Sequence, residues 1–411
     1  MDKNALRRRC ERGLVSRFGA HTLGSHRERL AYELSVIGKL GYSDQFLKLA
    51  KIASYIRKRG IRMGPGRGAA PASLVCWTLG ITHLDPVYYD LLFERFLNLG
   101  TRPFPVVEMD VSPAGREQIL AYLRRTWGAD CVARMGCIAR RPPGPEGKEV
   151  GRGVHASAIC LSERPLKDQI PLRRDETGGL VTEDEEEVLQ AKGLFVFGLV
   201  PLRDLDRLPR SFSVRDYEGL PLNLKERGVF KRLSRGSTRG GFQLDSPGIQ
   251  ALVKRVKPES LEHIAALIAL YRPGPLDSGL TDLYIKRRHQ KRPIRYYNLT
   301  LMDILEETYG LILYQEQIMA IAKRIAGFSP EMVDGLRKAI GRKHPAQLRD
   351  WRRKFIAGCR RNGTSAEHGE NAISKEFSVK LFGMLEKFGG YAFMRSHAVT
   401  CALLAGRSAA R

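Results

Sequence analysis

Apolar residues recur at intervals of three and four positions through most of the second half of the chain. This period is typical of amphipathic helices, in which such positions share one face. The pattern predicts helices after residue 245 in the stretches PESLEHIAALIALY, LMDILEETYG, EQIMAIAKRIAGF, PEMVDGLRKAIGRK, QLRDWRRKFIAGCRR and FSVKLFGMLEKFGG. The same period over residues 25–60, with a start signal at Ser43 and Asp44 and a stop at Gly60, predicts helix near the N-terminus.

The first half instead carries short apolar, β-branched runs bounded by turn residues, which are typical of strands. Strands are predicted in IRM, in FPVVEMDVS (residues 104–112), in VHASAICLS and in GLFVFGLV. The stretch SLVCWTLGI is a buried helix or strand, and helices are predicted in YYDLLFERFLN and AGREQILAYLRRTWG. Residues 139–153 hold three prolines and four glycines, so they are interpreted as a loop or linker. The pattern predicts a mixed α/β half followed by a helical half.

Length and charge narrow the class of protein. The 411 residues are 43% hydrophobic, which is ample for a packed core and favours two or three domains. The formal charge of +25 makes nucleic acid the leading partner. A ribosome-binding protein, a membrane-surface protein or a merely basic protein remain alternatives.

The cysteines and the N-terminus indicate a compartment. The seven cysteines are scattered and form no Cys-x-x-Cys pair, which favours free thiols over a disulfide framework or a zinc site. No apolar run reaches the ~18–20 residues of a membrane span, and MDKNALRRRCERG lacks the apolar core of a signal peptide. A cytoplasmic protein without a membrane partner is therefore expected.

Two acidic residues of the predicted strand 104–112 are candidates for metal binding. Glu108 and Asp110 are two positions apart, so their carboxylates point to the same face of a strand. Mg²⁺ prefers carboxylate oxygens and retains several waters, so two carboxylates with substrate phosphates suffice for one ion. On spacing alone, a solvated face of an edge strand is the commoner interpretation.

The glycine-rich stretch GPGRGAAPAS is a candidate anion site. Gly64, Gly66 and Gly68 allow positive φ and bring backbone N–H groups near a phosphate, with Arg67 among them and a helix N-terminus following. The stretch is not a Walker A sequence, because no Gly-Lys-Ser/Thr follows. Taken alone, it is more often a plain turn.

The helical half carries cations beside aromatic rings, an arrangement suited to phosphate clamping and base stacking. A solvated charged face and a structural histidine are the bland alternatives. The acidic run at 183–187 is interpreted as solvated, because consecutive glutamates point in different directions. The candidates in the helical half are Arg272, Arg337, Lys338, Tyr391, Arg395 and His397.

The order of the motifs carries more information than any one of them. The chain runs through GPGRGAAPASLVCWTLGITHLDPVYYDLLFERFLN, P-x-x-E-x-D, VHASAICLS, GGFQLDSPGIQ, IALYRPGPLDSGL, ETYGLILYQEQIM and GYAFMRSHAVTCALL. This succession resembles the alpha subunits of bacterial DNA polymerase III, the C-family replicative polymerases and their error-prone relatives. The resemblance covers nearly the whole chain.

The resemblance implies an α+β fold: a polymerase-beta-like nucleotidyltransferase palm followed by mostly α-helical fingers. It implies that Gly66, Arg67 and Gly68 bind the triphosphate of the incoming nucleotide, although Ala69 replaces the family's usual serine. In the fingers it assigns nucleotide and template contacts to all six candidates of the helical half, with an arginine at 395 where the family usually has lysine. Arginine keeps the charge but not the geometry.

The same resemblance exposes departures at the catalytic carboxylates. Glu108 and Asp110 fall on the family's two strand aspartates, and they are the implied catalytic and Mg²⁺-binding residues. Val106 occupies the first position of that Pro-Asp-x-Asp-x-Asp motif. The third catalytic aspartate, on a later strand, falls on Val196, with Leu194 at the neighbouring lysine. The closest acidic residues, such as Asp204, lie beyond Pro201 in a different element.

The implied domains are an N-terminal helical segment (1–59), a palm (60–235) whose thumb is largely deleted around 132–153, and fingers (236–411) that stop early. The expected activity is template-directed DNA synthesis in replication or repair, on primed template DNA and deoxynucleoside triphosphates, impaired by the missing carboxylate and thumb. By the resemblance, the chain is expected to lack the family's clamp-binding segment, so a clamp contact is not expected. The alternatives are a catalytically silent DNA- or nucleotide-binding protein and a gene fragment.

Overall fold

The computed structural model describes the chain in two compact units. One unit contains Met1–Val87 and Thr101–Asp216, and the other contains Tyr88–Gly100 and Tyr217–Arg411. The residues described are 4–18, 24–141, 148–208, 217, 228–291, 293–294, 296–297, 299–342, 344–363 and 373–409.

The first unit is built on a mixed sheet that has six strands within the described residues. The strand order is β1-β6-β3-β2-β5-β4, with β1 parallel to β6, and β3 antiparallel to both β6 and β2. The strands are β1 (Glu108–Val111), β2 (Val132–Arg141), β3 (Lys148–Leu161), β4 (Leu172–Arg174), β5 (Leu180–Thr182) and β6 (Phe195–Pro201).

Helices cover the sheet and form the N-terminal part of the same unit. The predicted helix over 25–60 is two helices separated by Gly41, whose φ of +76° ends the first; the second begins at Ser43, as predicted. Helix α5 packs against β2 and β6, and helix α6 packs against β6. The helices are α1 (Ala5–Phe18), α2 (Gly24–Leu40), α3 (Ser43–Lys58), α4 (Leu74–Thr78), α5 (Pro113–Trp127) and α6 (Glu186–Ala191).

The stretch 139–153 corrects the loop interpretation. Its described residues belong to the long β2–β3 hairpin, in which Ala139 pairs with Gly151 and Arg141 pairs with Lys148. The prolines fall at 142–147, outside the described residues. Local composition identified the prolines but missed the pairing partner.

Other predicted elements of the first unit are shorter than expected. The strand predicted over 104–112 is limited to β1, and IRM contributes only a single bridge from Met63 to Val111. SLVCWTLGI contains helix α4.

The helix predicted in YYDLLFERFLN, which belongs to the second unit, is wrong. Only a three-residue 3-10 turn, Phe93–Arg95, forms there. Asp90 adopts φ of +45°, which interrupts a helical path.

The second unit is helical, and all six helices predicted after residue 245 are confirmed. One of its core clusters contains Ile318, Leu336, Phe355, Phe382 and Leu385, each at most 1% exposed. The helices are α7 (Val229–Ser234), α8 (Pro247–Val256), α9 (Leu261–Leu270), α10 (Pro273–Asp277), α11 (Leu280–Arg288), α12 (Leu299–Leu305), α13 (Gln315–Arg324), α14 (Pro330–Arg342), α15 (Pro345–Gly363), α16 (Lys375–Gly389) and α17 (Arg395–Ala409).

The architecture is mixed α/β and is compatible with a palm followed by helical fingers. Across the part of the chain that the structure describes, no helix is both long enough and apolar enough to cross a membrane.

Candidate active site

The two candidate carboxylates lie at the beginning and near the end of β1. Glu108 and Asp110 pair with Gly198 and Val200 of the parallel strand β6, so all four positions share one face of the sheet. Gly198 leaves space for the glutamate, because a Cβ built there would lie 2.7 Å from the Glu108 Cγ. Ser157 on β3 donates a hydrogen bond to Glu108 Oε1 over 3.2 Å. The predicted strand geometry of this pair is confirmed.

The glycine-rich loop packs directly on Asp110. The Gly64 N–H donates to the Asp110 carbonyl over 2.9 Å, and a Cβ at Gly64 would lie 2.8 Å from the Asp110 Cβ. Arg67 Nε donates to Asp110 Oδ1 over 2.7 Å. Burial raises the pKa of Asp110, Arg67 opposes that rise, and Glu108 adds to it. Loop and strand therefore form one charged site.

Backbone conformation explains the glycines of this loop. Gly66 and Gly68 have φ of +136° and +62°, and a Cβ at Gly66 would lie 2.7 Å from the Pro71 Cγ. The helix that follows, α4, already has its first amides bonded: Leu74 N–H and Val75 N–H donate to the buried Glu33 carboxylate. Its N-terminus is thus occupied by a protein anion.

The position of the third carboxylate is apolar. Val196 is 1% exposed and lies on β6 opposite Cys160, on the same sheet face as Glu108 and Asp110. It belongs to an apolar cluster against which Val106 also packs. The other members of this apolar cluster are Ala133, Met135, Ala158, Cys160, Leu166, Ile170, Leu189 and Leu194.

The acidic run at 183–187 is not uniformly solvated, and this is what the sequence interpretation missed. Glu185 accepts hydrogen bonds from Ile138 N–H and from Arg140. Glu186 is half-buried at the start of α6; burial raises its pKa, His155 lowers it, and Glu108 raises it. Glu186 thus lies within electrostatic reach of Glu108. The available signal was the position of the run, a few residues before the strand that carries Val196.

The carboxylates fit one hard cation rather than a cluster of ions. Within the described residues, no group of three or more His, Cys, Asp or Glu side chains is arranged to hold a metal ion. Glu108 and Asp110 supply carboxylate oxygens on one sheet face, and Mg²⁺ completes such a shell with water and substrate phosphates.

In the second unit, Arg272 and Tyr391 form one group. Arg272 Nη2 donates to the Tyr391 carbonyl, and Arg272 Nε donates to the Ala269 carbonyl. The guanidinium lies 4.5 Å from the centre of the Phe393 ring. The Tyr391 ring lies against Gly274, where a Cβ would be 2.3 Å from its Cδ1.

Arg395 is the first residue of α17, and two glutamates bind its main chain and its side chain. Its N–H donates to both carboxylate oxygens of the buried Glu316, at 2.9 and 3.0 Å, and Nη2 donates to Glu307 over 2.6 Å. Burial raises the pKa of Glu316 against the effect of these amide bonds. His397 lies on the first turn of α17, with both ring nitrogens 3.7 Å from Cys401 Sγ.

Arg337 and Lys338 bond to the same acidic residue and line the same pocket. Each donates to Asp334 over 2.8 Å. Burial raises the pKa of Asp334, but the two cations hold it below its ordinary value. The pocket has a volume of about 230 Å³ and is lined by Gln315, Ile318, Arg337, Lys338, Gly341, Arg342 and Gly389.

Comparison with known proteins identifies the family. Residues 4–152 match the family model of the bacterial DNA polymerase III alpha NTPase domain, and residues 208–363 match that of the bacterial DNA polymerase III alpha subunit finger domain. The chain belongs to the bacterial DNA polymerase III alpha subunit family. The resemblance read from the motifs is confirmed.

Curated DNA polymerase III alpha subunits match most of this chain. The Thermus aquaticus protein is 33% identical over 457 residues, covering 93% of this chain and 36% of the relative. The Bacillus subtilis protein is 33% identical (96% and 40%), and the Escherichia coli K12 protein is 31% identical (92% and 38%). The chain thus spans less than half the length of these alpha subunits. The alignments exceed 411 positions, so the relatives carry residues inside the matched region that this chain lacks.

Proposed function

We propose that this chain is a DNA polymerase core with weakened nucleotidyl transfer. In this proposal 60–235 is a polymerase-beta-like palm preceded by the helical segment 1–59, and 236–411 is the fingers. The substrates are primed template DNA and deoxynucleoside triphosphates. The observation that carries the proposal is the contact between Arg67 and Asp110, which joins a glycine-rich phosphate loop to an acidic strand.

The proposed palm residues have two roles, which are binding the triphosphate and holding the metal ion. Gly66 and Gly68 let the loop backbone approach a triphosphate closely, and Arg67 supplies a guanidinium for phosphate oxygens. Glu108 and Asp110 would hold Mg²⁺. When bound, this ion neutralises phosphate charge and favours ionisation of the attacking hydroxyl. Ala69 provides no hydroxyl for a further phosphate contact.

The fingers residues supply cations and an aromatic surface. Arg337 and Lys338 line a pocket that also contains Arg342, and this concentration of positive charge suits phosphates. Arg272, Tyr391, Arg395 and His397 are proposed for nucleotide and template contacts.

The proposed weakening of nucleotidyl transfer rests on two valines at positions where the family has carboxylates. Val106 and Val196 place apolar side chains where the family has carboxylates, and the apolar cluster around Val196 leaves no charge there. Removal of a single electrostatic stabiliser from an enzyme can cost a factor of ~10² or more. We therefore propose slow synthesis rather than synthesis at a replicative rate.

Single-nucleotide extension of a primed template, in Mg²⁺ and separately in Mn²⁺, tests this function. The unmodified chain is expected to extend slowly, and Asp110→Ala is expected to abolish extension because the metal loses a carboxylate. Asp204→Ala is the matched control: it removes a carboxylate that pairs with Arg207, outside the site. Equal rates for the chain and for Asp110→Ala would refute the assignment.

The second candidate is a catalytically silent DNA- or nucleotide-binding protein. The buried Val196 favours it, because a fully apolar third position fits a site that no longer performs transfer. Tight binding of primed DNA and nucleotide with no extension in either metal would support this candidate over slow synthesis.

A further inference from the structure

The Arg67–Asp110 ion pair has two competing uses within the proposed function, on which this inference rests. Asp110 is 5% exposed and is bonded to Arg67 Nε over 2.7 Å. The same carboxylate is a proposed metal ligand, and the same guanidinium is a proposed phosphate ligand. A cation at Asp110 must compete with Arg67 for that oxygen.

Charge and burial make the competition strong. The Asp110 side chain is 6% exposed and that of Arg67 is 24% exposed, so bulk water screens the pair only partly. Charge-assisted hydrogen bonds of this length are roughly twice as strong as neutral ones. The Gly64 N–H holds the Asp110 carbonyl, so the main chain of Asp110 is anchored independently of the Arg67 side chain.

A triphosphate offers Arg67 a different partner. Phosphate oxygens accept bidentate hydrogen bonds from guanidinium, and a triphosphate carries more negative charge than one carboxylate. The loop that carries Arg67 is the same loop whose glycines allow close approach of an anion. When Arg67 turns to the phosphates, the Asp110 oxygen is released.

We propose that Arg67 is the coupling residue between metal and nucleotide binding. In the free protein it neutralises Asp110 and excludes the divalent ion from that oxygen. On triphosphate binding it moves to the phosphates, and Asp110 becomes a metal ligand. By linkage, the metal and the triphosphate each strengthen binding of the other.

The metal arm of the test uses Mn²⁺ binding without nucleotide, followed by the electron paramagnetic resonance signal of free Mn²⁺. Arg67→Gln is expected to raise Mn²⁺ affinity about tenfold, within the usual range of coupling between sites. Arg67→Lys keeps a charge at this position and should fall between. Arg62→Gln is the matched control, because Arg62 is in the same unit but bonds to the carbonyls of Leu205 and Asp206. We expect less than a twofold change for that control.

The nucleotide arm uses a fluorescent deoxynucleoside triphosphate analogue in metal-free buffer containing EDTA. Asp110→Asn removes the negative charge that pairs with Arg67 and is expected to raise analogue affinity about tenfold. Glu108→Gln removes the same charge from the same sheet face but is bonded to Ser157, not to Arg67. Its effect should be about twofold or less.

These experiments distinguish failure of the coupling role from failure of the proposed function. If the chain binds Mn²⁺ and the analogue, but Arg67→Gln behaves like Arg62→Gln and Asp110→Asn behaves like Glu108→Gln, the coupling role is refuted and the proposed function stands. If the chain and its variants bind neither Mn²⁺ nor the analogue while their thermal melting stays unchanged, the proposed function fails and the coupling role fails with it.

Discussion

Val196 sets the chemistry of this sheet face at the scale of single residues. A carboxylate here would lie among Cys160, Leu189 and Leu194, all of them in the apolar cluster around Val196. An ionised group without a partner in such surroundings is costly. The apolar cluster is therefore suited to valine, and the aspartate that the family resemblance implies at this position would lack a partner after a single substitution.

We predict that Val196→Asp destabilises the protein by about 3–5 kcal/mol at pH 7, the cost typical of an uncompensated buried charge. Burial raises the folded-state pKa of the new carboxyl above its unfolded value of about 3.9, so the loss grows with pH above that value and shrinks as pH falls toward it. Urea unfolding at pH 5 and pH 8 measures this dependence. Val196→Asn is the isosteric control without charge, and a loss equal to it at both pH values would contradict the prediction.

Single residues also show which features of the site could be predicted from the sequence. The shared face of Glu108 and Asp110 followed from the period of a strand, because that period is a local property of the backbone. The proximity of Glu186 to Glu108 could not be predicted, because α6 and β1 are about 80 residues apart and both pack on β6, a tertiary arrangement. The occupation of Asp110 by Arg67 is likewise a tertiary contact.

At the scale of elements, the half-buried His263 links α9 to α11 and to the turn at Tyr309. His263 lies on α9, and its Nε2 is 2.8 Å from the Tyr309 hydroxyl, which also accepts from Arg288 on α11. The Glu259 N–H donates to His263 Nδ1. Arg288 Nη1, an obligate donor, lies 2.7 Å from His263 Nε2, so a proton added to that nitrogen would face a guanidinium. Burial, followed by the charge of Arg288, lowers the pKa of His263 to about 4.

This arrangement predicts that the protein loses stability in acid through the contact between α9 and α11. The unfolded histidine takes up a proton near pH 6.5 and the folded one only near pH 4, so stability is lost as pH falls between these values. The expected loss is of the order of 2 kcal/mol. Thermal melting of the chain and of His263→Asn, whose side chain offers an acceptor without titrating, measures it. A loss of the same size in His263→Asn would assign the acid sensitivity elsewhere.

Helices of the second unit were predictable because their 3.6-residue period is long and regular. The β2–β3 hairpin was not, because pairing depends on a partner strand rather than on composition. The short turn at Phe93–Arg95 was also missed: Phe93 and the nearby Leu97 are buried, as in an amphipathic helix, but Asp90 interrupts the helical path. The elements that were predicted wrongly are those whose conformation depends on residues distant in the sequence.

At the scale of the whole molecule, the formal charge of +25 determines how the proposed DNA binding responds to salt. Neutralising phosphates releases counterions, so affinity falls as salt rises. We predict that affinity for primed duplex falls by about 10³-fold between 50 and 200 mM salt, as for a protein contacting roughly six phosphates. Fluorescence anisotropy across this range measures the slope. A salt-independent affinity would exclude phosphate contacts as the main source of binding.

The two units share the chain in an interleaved way, and this affects folding during synthesis. Residues 88–100 belong to the second unit, where Arg95 donates to Gln315, 220 residues later. At roughly 5–20 residues per second, Arg95 leaves the ribosome about ten to forty seconds before its partner is made. During that interval Phe93 and Leu97, which are buried in the folded chain, are without their final packing, so this segment leaves apolar surface open to aggregation until the rest of the second unit is made.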